Sequence, residues 1–242
     1  MRTRQLITLP VLFLALLPWS ALAAPKPETR KPDVVLPYRK TAEAELKLEV
    51  FRPADWKADD RRAAIVFFFG GGWVGGSTSQ FHPQATHLAG RGMVAICAEY
   101  RVRSRNKTTP FDAVEDAKAA LRWVARNAAA QGIDPARIVS SGGSAGGHLA
   151  ASCGVIPGFD EIKEGEPTFL PAAMVLFNPV IDTSKKGFGN KVLGERWKEL
   201  SPVDHVHKKT APTLLMVGSV DTTTPPDGCR QFAARMKKLD RR

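Results

Sequence analysis

From Ala64 to Phe69 every side chain is apolar, and the run stops on Gly70-Gly71-Gly72. A strand with one wet face alternates apolar and polar residues, so an unbroken run requires cover on both faces. Apolar segments return at Met93 to Ala98, Ile138 to Ser141, Met174 to Phe177 and Leu214 to Val217. Leu46, Leu48 and Val50 do alternate with polar residues, as on a half-exposed strand. Helical punctuation separates these segments. Thr109 suits a cap, with Pro110 at the first helical position. Asp112, Glu115 and Asp116 fall at the positive end, Arg122 and Arg126 fall late, and Gly132 closes the helix. From about Asp227 the residues Cys229, Phe232, Ala233, Met236 and Leu239 share one helical face. Alternating strands and helices with buried strands predict an α/β chain: a mostly parallel central sheet with helices on both faces. In such sheets chemistry collects at the carboxyl ends of the strands.

The first 23 residues read as an export leader. Arg2 and Arg4 precede an apolar stretch from Leu6 to Leu17, and Ala21-Leu22-Ala23 supplies small residues for cleavage. The stretch is shorter than the roughly 20 residues a membrane helix needs. The expected setting is therefore secreted or periplasmic, with no stable membrane insertion. Residues 24–42 read as a Pro-rich, charged linker and first segment, and 43–242 as one domain. The formal charge is +11, and +9 without Arg2 and Arg4. Lys and Arg are spread along the chain without interleaved aromatics, so the excess reads as a solvated surface and no nucleic-acid partner is expected. Cys97, Cys153 and Cys229 are expected to be buried single thiols, with a Cys153–Cys229 bridge as the alternative. Their spacing matches no zinc or redox motif, and no metal or cofactor is expected.

Gly142-Gly143-Ser144-Ala145-Gly146 directly follows a strand and opens a helix. A serine hydroxyl becomes a useful nucleophile when a sharp strand-to-helix turn lifts it above the sheet, and glycines relieve the crowding of that turn. Ala145 N–H then points at the developing oxyanion. Gly71 and Gly72 offer further backbone donors at the end of another buried strand. A rival reading exists, because Gly70 to Gly75 also satisfies G-x-G-x-x-G, with Glu99 placed to bind a ribose. The bulk of Trp73, the export leader and an otherwise unexplained Ser144 count against a dinucleotide. Asp221, just past the Leu214 to Val217 strand, suits the acid that orients a base. Asp227 follows Pro225-Pro226 and reads better as a helix start.

Taken together, FFFGGGWVGGS, AEYR, GIDPARI, GGSAGGHLA, SPVDHV and LLMVGSVD resemble the α/β-hydrolase superfamily, in its hormone-sensitive-lipase-like and bacterial acyl-esterase branch. The resemblance runs from Leu46 to Leu239. It implies an α/β-hydrolase fold and catalysis by Ser144, Asp221 and an oxyanion hole of Gly71, Gly72 and Ala145. Phe69 stands where the family's oxyanion motif has histidine, a change that backbone donors should survive. The resemblance also places a catalytic histidine about 30 residues past the acid, after one more helix and strand, in the order Ser, acid, His. No histidine follows Asp221 in these 242 residues. His82 and His87 read as helix-surface residues, His148 as a packing residue, and His205 and His207 as loop residues, with a non-standard base from that loop as the alternative.

The expectation is a serine carboxylesterase for small or medium acyl groups, acylated carbohydrates included, truncated before its final strand and weak or inactive as it stands. Peptide bonds are a weaker possibility. A truncated or inactive relative that at most binds acyl or sugar ligands is the second reading. A missing last strand would also leave Leu214 to Val217 as an uncovered edge prone to association. Acyl length, alcohol partner and oligomeric state are not encoded legibly.

Overall fold

The computed structural model describes residues 29–160, 162 and 169–240. The expected leader and the first residues of the expected linker lie outside these. Seven strands form one sheet: β1 Val34–Lys40, β2 Glu45–Phe51, β3 Arg62–Phe68, β4 Val94–Ala98, β5 Ile133–Gly143, β6 Ala173–Phe177 and β7 Thr213–Met216. Their spatial order is β1-β2-β4-β3-β5-β6-β7. β1, β2 and β4 pair antiparallel, and every pairing from β4 to β7 is parallel. The helices are α1 His82–Gly90, α2 Arg103–Asn106, α3 Pro110–Arg126, α4 Ala145–Val155, α5 Asn190–Leu193 and α6 Pro226–Lys238.

The two faces of the sheet are covered unequally. Leu48, Val50, Val66, Phe68, Ile96, Ile138 and Leu176 point to the face on which α3, α4 and α6 build the larger core. Phe51, Ile65, Phe67, Ala95 and Cys97 point the other way, against α1 and the 3₁₀ turn Thr78–Phe81. Among the described residues no helix covers this second face toward β6 and β7. A groove of about 590 Å³ lies there, walled by Ile65, Phe67, Leu88, Val139, Val175 and Phe177. Leu214 pairs with Val175 in register and is 54% exposed. The Leu214 segment is therefore not the buried strand its composition suggests. It is four residues long, ends at Met216 and forms the sheet's edge among the described residues.

β1 lies within residues 24–42, in the first segment that follows the expected linker. Its apolar alternation is interrupted by Pro37 and by a bulge between Pro37 and Arg39, which an edge strand tolerates and a central strand does not. β5 begins at Ile133, five residues before the apolar run, and carries Gly142 and Gly143 inside the strand. Gly132 does not close α3, which ends at Arg126; with φ +63° it closes the short 3₁₀ turn Ala129–Gln131 instead.

At the start of α3 the Asp112 carboxylate accepts hydrogen bonds from Thr109 N–H (2.8 Å) and Thr109 Oγ1 (2.6 Å), and Pro110 occupies the first position. Asp116 does more than favour the helix dipole, because it is fully buried. It accepts from Arg101 N–H (2.9 Å), Arg101 Nε (2.8 Å) and Arg39 Nη1 (2.6 Å), tying α3 to β1 and to the segment after β4. Arg122 is likewise buried and pairs with Asp160 rather than with a helix terminus. Lys118 turns its ammonium across to α4, donating to the carbonyls of Ile156 (2.5 Å) and Gly158 (2.7 Å) just past that helix's negative end. Cys97, Cys153 and Cys229 are all free and buried, and burial raises each thiol pKa. No described helix is long and apolar enough to cross a membrane.

Candidate active site

Ser144 sits at the junction of β5 and α4 with φ +54° and ψ −120°, a conformation L-residues rarely adopt. Its neighbours show why the turn requires glycine. A Cβ on Gly142 would overlap the carbonyl of Gly146, and a Cβ on Gly146 would overlap the carbonyl oxygens of Phe68 and Phe69. β3 thus presses directly on the elbow. Ser144 N–H donates to Phe177 O at 3.0 Å, and Ser144 O accepts from His148 N–H (3.0 Å) and Val180 N–H (3.2 Å). The residue is half-buried, and no described group hydrogen-bonds its hydroxyl.

The glycine loop after β3 is held on several sides. Gly70 lies against the nucleophile, since a Cβ there would come within 3.3 Å of Ser144 Cβ. Its N–H donates to Gln80 Oε1 at 2.5 Å. Tyr100 Oη donates to Phe69 O at 2.7 Å, and the two rings stack with centroids 4.1 Å apart. Arg103 N–H and Ser104 N–H donate to Trp73 O and Val74 O, both at 3.0 Å. What this scaffold leaves over is informative. Among the described residues the N–H groups of Gly71, Gly72 and Ala145 have no acceptor. Gln80 carried no motif signal, and Tyr100 lay in the AEYR segment without an assigned role; what each does emerges only once the loop is folded.

Asp221 lies in the turn after β7, where its carboxylate accepts from Thr223 N–H (2.8 Å), Thr224 N–H (2.8 Å) and Thr224 Oγ1 (2.9 Å). These bonds hold its pKa below the ordinary carboxylate value, so it is ionised at neutral pH. Thr224 Oγ1 also lies 3.1 Å from Asn178 O, and Asn178 follows the Phe177 carbonyl that receives Ser144 N–H. The ends of β5, β6 and β7 are thereby linked, which brings the serine and acid loops to one rim of the sheet. Asp227 is exposed in the first turn of α6 and pairs with Arg230 at 2.6 Å.

Each of the five histidines is placed away from Ser144 or engaged elsewhere. His82 Nε2 bonds Glu49 at 2.6 Å, and His87 is exposed on α1. His205 Nε2 donates to Lys198 O at 2.9 Å, and His207 Nδ1 accepts from Lys209 N–H at 3.1 Å. Both border a cavity with Cys153 and Ile156, at the far end of α4 from Ser144, a separation of roughly 15 Å for eleven residues at helical rise. His148 is fully buried, and its Nε2 lies 2.7 Å from Leu200 O. A carbonyl only accepts, so Nε2 carries the proton and Nδ1 is bare.

Burial pushes the His148 pKa down to about 4. Between pH 6.5 and 4 the unfolded chain therefore binds a proton that the native state refuses. Stability is complete above about pH 6.5 and declines toward pH 4, by roughly 3 kcal/mol in all from this group. Urea unfolding at pH 7, 6, 5 and 4.5 should show a shallower decline in His148→Leu than in the parent; equal declines would contradict the assignment.

A family profile described as BD-FAE matches residues 48–186, a span running from β2 past the elbow. The chain belongs to the BD-FAE family. It is 46% identical to Thermogutta terrifontis esterase 2 phosphoramylated by tabun, with a TM-score of 0.80 over 86% of this chain and 80% of that one. The butyrate-bound form of the same esterase matches at 44% identity and a TM-score of 0.80, with the same coverage. The probable carboxylic ester hydrolase LipM of Mycobacterium tuberculosis is 26% identical over 214 residues, covering 80% of this chain and 49% of LipM. The chain spans about half the length of the curated relatives it matches first. These similarities place this BD-FAE member among the α/β-hydrolase esterases, as the sequence resemblance implies.

Proposed function

We propose that the chain is a serine carboxylesterase in which Ser144 attacks the ester carbonyl. The observation that carries this is the left-handed backbone at Ser144, set beside three N–H groups with no acceptor of their own. Attack by Oγ forms a bond to the carbonyl carbon and drives negative charge onto the carbonyl oxygen. Gly71, Gly72 and Ala145 N–H would receive that charge, with no reorganisation needed at the moment of reaction. Asp221, held ionised by its turn, would orient a histidine base and stabilise its cation. None of the five histidines in these 242 residues is placed for that role, so this polypeptide alone turns over slowly. Its substrates are esters of short acyl groups, acylated carbohydrates among them; the butyrate-bound state of the thermophilic relative supports short chains. It acts outside the cytoplasm, a reading supported by Arg2, Arg4 and the apolar stretch Leu6 to Leu17.

Incubation with paraoxon in imidazole buffer, followed by peptide mass mapping, tests the nucleophile. The adduct is expected on the peptide containing Ser144 and is expected to be lost in Ser144→Ala. An adduct on another residue that persists in that variant would overturn the proposal.

A further inference from the structure

Beside the glycine loop lies a second constrained loop that no motif announced. Gly187 and Gly189 flank Phe188, and neither position has room for a side chain. A Cβ on Gly187 would overlap the carbonyl of Asp182, and one on Gly189, at φ +90°, would come 2.8 Å from Trp73 Cζ3. Phe188 N–H donates to Asp182 O at 3.0 Å. The loop is thus seated on the indole of Trp73, which is itself 2% exposed and packs edge-on against His148 with centroids 5.0 Å apart. The result is that the half-buried Phe188 ring stands over Gly72, its Cζ 3.6 Å from where a Cβ on that glycine would lie. The Trp73 and Phe188 ring centroids are 5.8 Å apart. The ring also borders a cavity of about 140 Å³ whose lining includes Val180 and Pro225 together with the polar Asp182, Lys186, Thr224 and Asp227.

We infer that Phe188 is the specificity-determining wall for the acyl group, an assignment that rests on Ser144 being the nucleophile. Three groups leave the reacting carbonyl carbon. The oxygen faces Gly71, Gly72 and Ala145, and the leaving oxygen faces the side where a base oriented by Asp221 delivers a proton. The acyl carbon takes the remaining direction. A ring seated on Trp73 beside Gly72, and facing the Thr224-Pro225 turn only across the cavity, bounds that direction. Acetyl and other short groups fit in front of the ring, and longer chains collide with it.

The test compares kcat/KM for p-nitrophenyl acetate, butyrate and octanoate in the parent, Phe188→Ala and Phe188→Trp. One fixed imidazole concentration is used throughout, so that the contribution of the base cancels in ratios, and rates of Ser144→Ala are subtracted. Phe188→Ala should raise the octanoate-to-acetate ratio about tenfold or more, the discrimination that a few methylenes carry in an apolar site. Phe188→Trp should lower the butyrate-to-acetate ratio. Across acetates of phenol, 4-tert-butylphenol and 2-naphthol the variants should keep the parent's order. Acyl ratios that do not move in folded variants, or a change confined to the alcohol series, would overturn the assignment while leaving Ser144 intact. No Ser144-dependent rate on any ester in the parent would overturn both.

Discussion

Free imidazole is expected to raise the ester turnover of the 242-residue polypeptide by roughly 10²-fold, and only while Ser144 is present. The reason lies in where the histidines are. His148 is buried and bonded to Leu200 O, and His205 and His207 lie by the opposite end of α4. If, as proposed, none of these histidines serves as the base, the Ser144 hydroxyl stays protonated in this polypeptide and attack is slow. In another serine hydrolase, loss of the histidine costs on the order of 10⁶ in turnover. The oxyanion donors and binding still leave roughly 10³–10⁴ over water. Members of such a triad act as a unit, so in buffer alone Ser144→Ala should cost little beyond what the absent base already costs. Added imidazole should open the gap between the two proteins, as measured on p-nitrophenyl acetate. A fast rate without imidazole that falls about 10⁶-fold in Ser144→Ala, and equally in His205→Ala or His207→Ala, would place the base in that loop and refute the mechanism.

Asp116→Ala is expected to cost about 3–5 kcal/mol of stability, the range for removing one partner of a buried ion pair. For a chain of this size that is roughly 10 °C or more in thermal midpoint. Asp116 is fully buried, and the side chains of Arg101 and Arg39 are only 6% and 12% exposed. Deleting the carboxylate removes the buried partner shared by two guanidinium groups and the Arg101 N–H. Glu43, Asp112 and Glu115 remain near Arg101, at 3.1, 3.5 and 3.5 Å, and Glu115 also lies 3.6 Å from Arg39, but all three are partly exposed. Denaturant unfolding of parent, Asp116→Asn and Asp116→Ala measures the effect, with the asparagine variant intermediate because it still accepts from Arg101 N–H. A loss below about 1 kcal/mol in the alanine variant would mean that the outer carboxylates take over. Arg101 follows Tyr100, whose hydroxyl holds the Phe69 carbonyl at the mouth of the glycine loop, so the same change should also loosen the oxyanion donors.

Much of this architecture was legible in the sequence because its signals are local. An apolar run ending in glycine marks a buried strand, and Thr109-Pro110 with Asp112 marks a helix start. A Gly-flanked serine between strand and helix marks an elbow. What was missed depends on partners distant in the chain. β1 hides its alternation behind Pro37 and a bulge, and only its pairing with β2 makes it a strand. Gly132 lies where a helix stop is plausible, yet α3 ends six residues earlier. Leu214 looks like core by composition, but its segment was also expected to form an uncovered edge, and among the described residues it does. Phe188, Gln80 and Thr224 match no pattern, because each acts through a contact with another segment: the ring over Gly72, the amide on Gly70 N–H, and the hydroxyl between Asp221 and Asn178.

The unequal cover of the sheet makes folding a race. Under the face that carries α3, α4 and α6, collapse is a private matter of one molecule, with a rate independent of how many others are present. Among the described residues, the face near Val175 and Leu214 offers a neighbouring molecule the same apolar welcome that it would offer a helix of its own, beside an edge whose backbone groups no described strand pairs. Encounters of that kind scale with the square of concentration. The yield of well-folded protein is therefore governed by dilution and by the rate of synthesis as much as by the strength of the finished core.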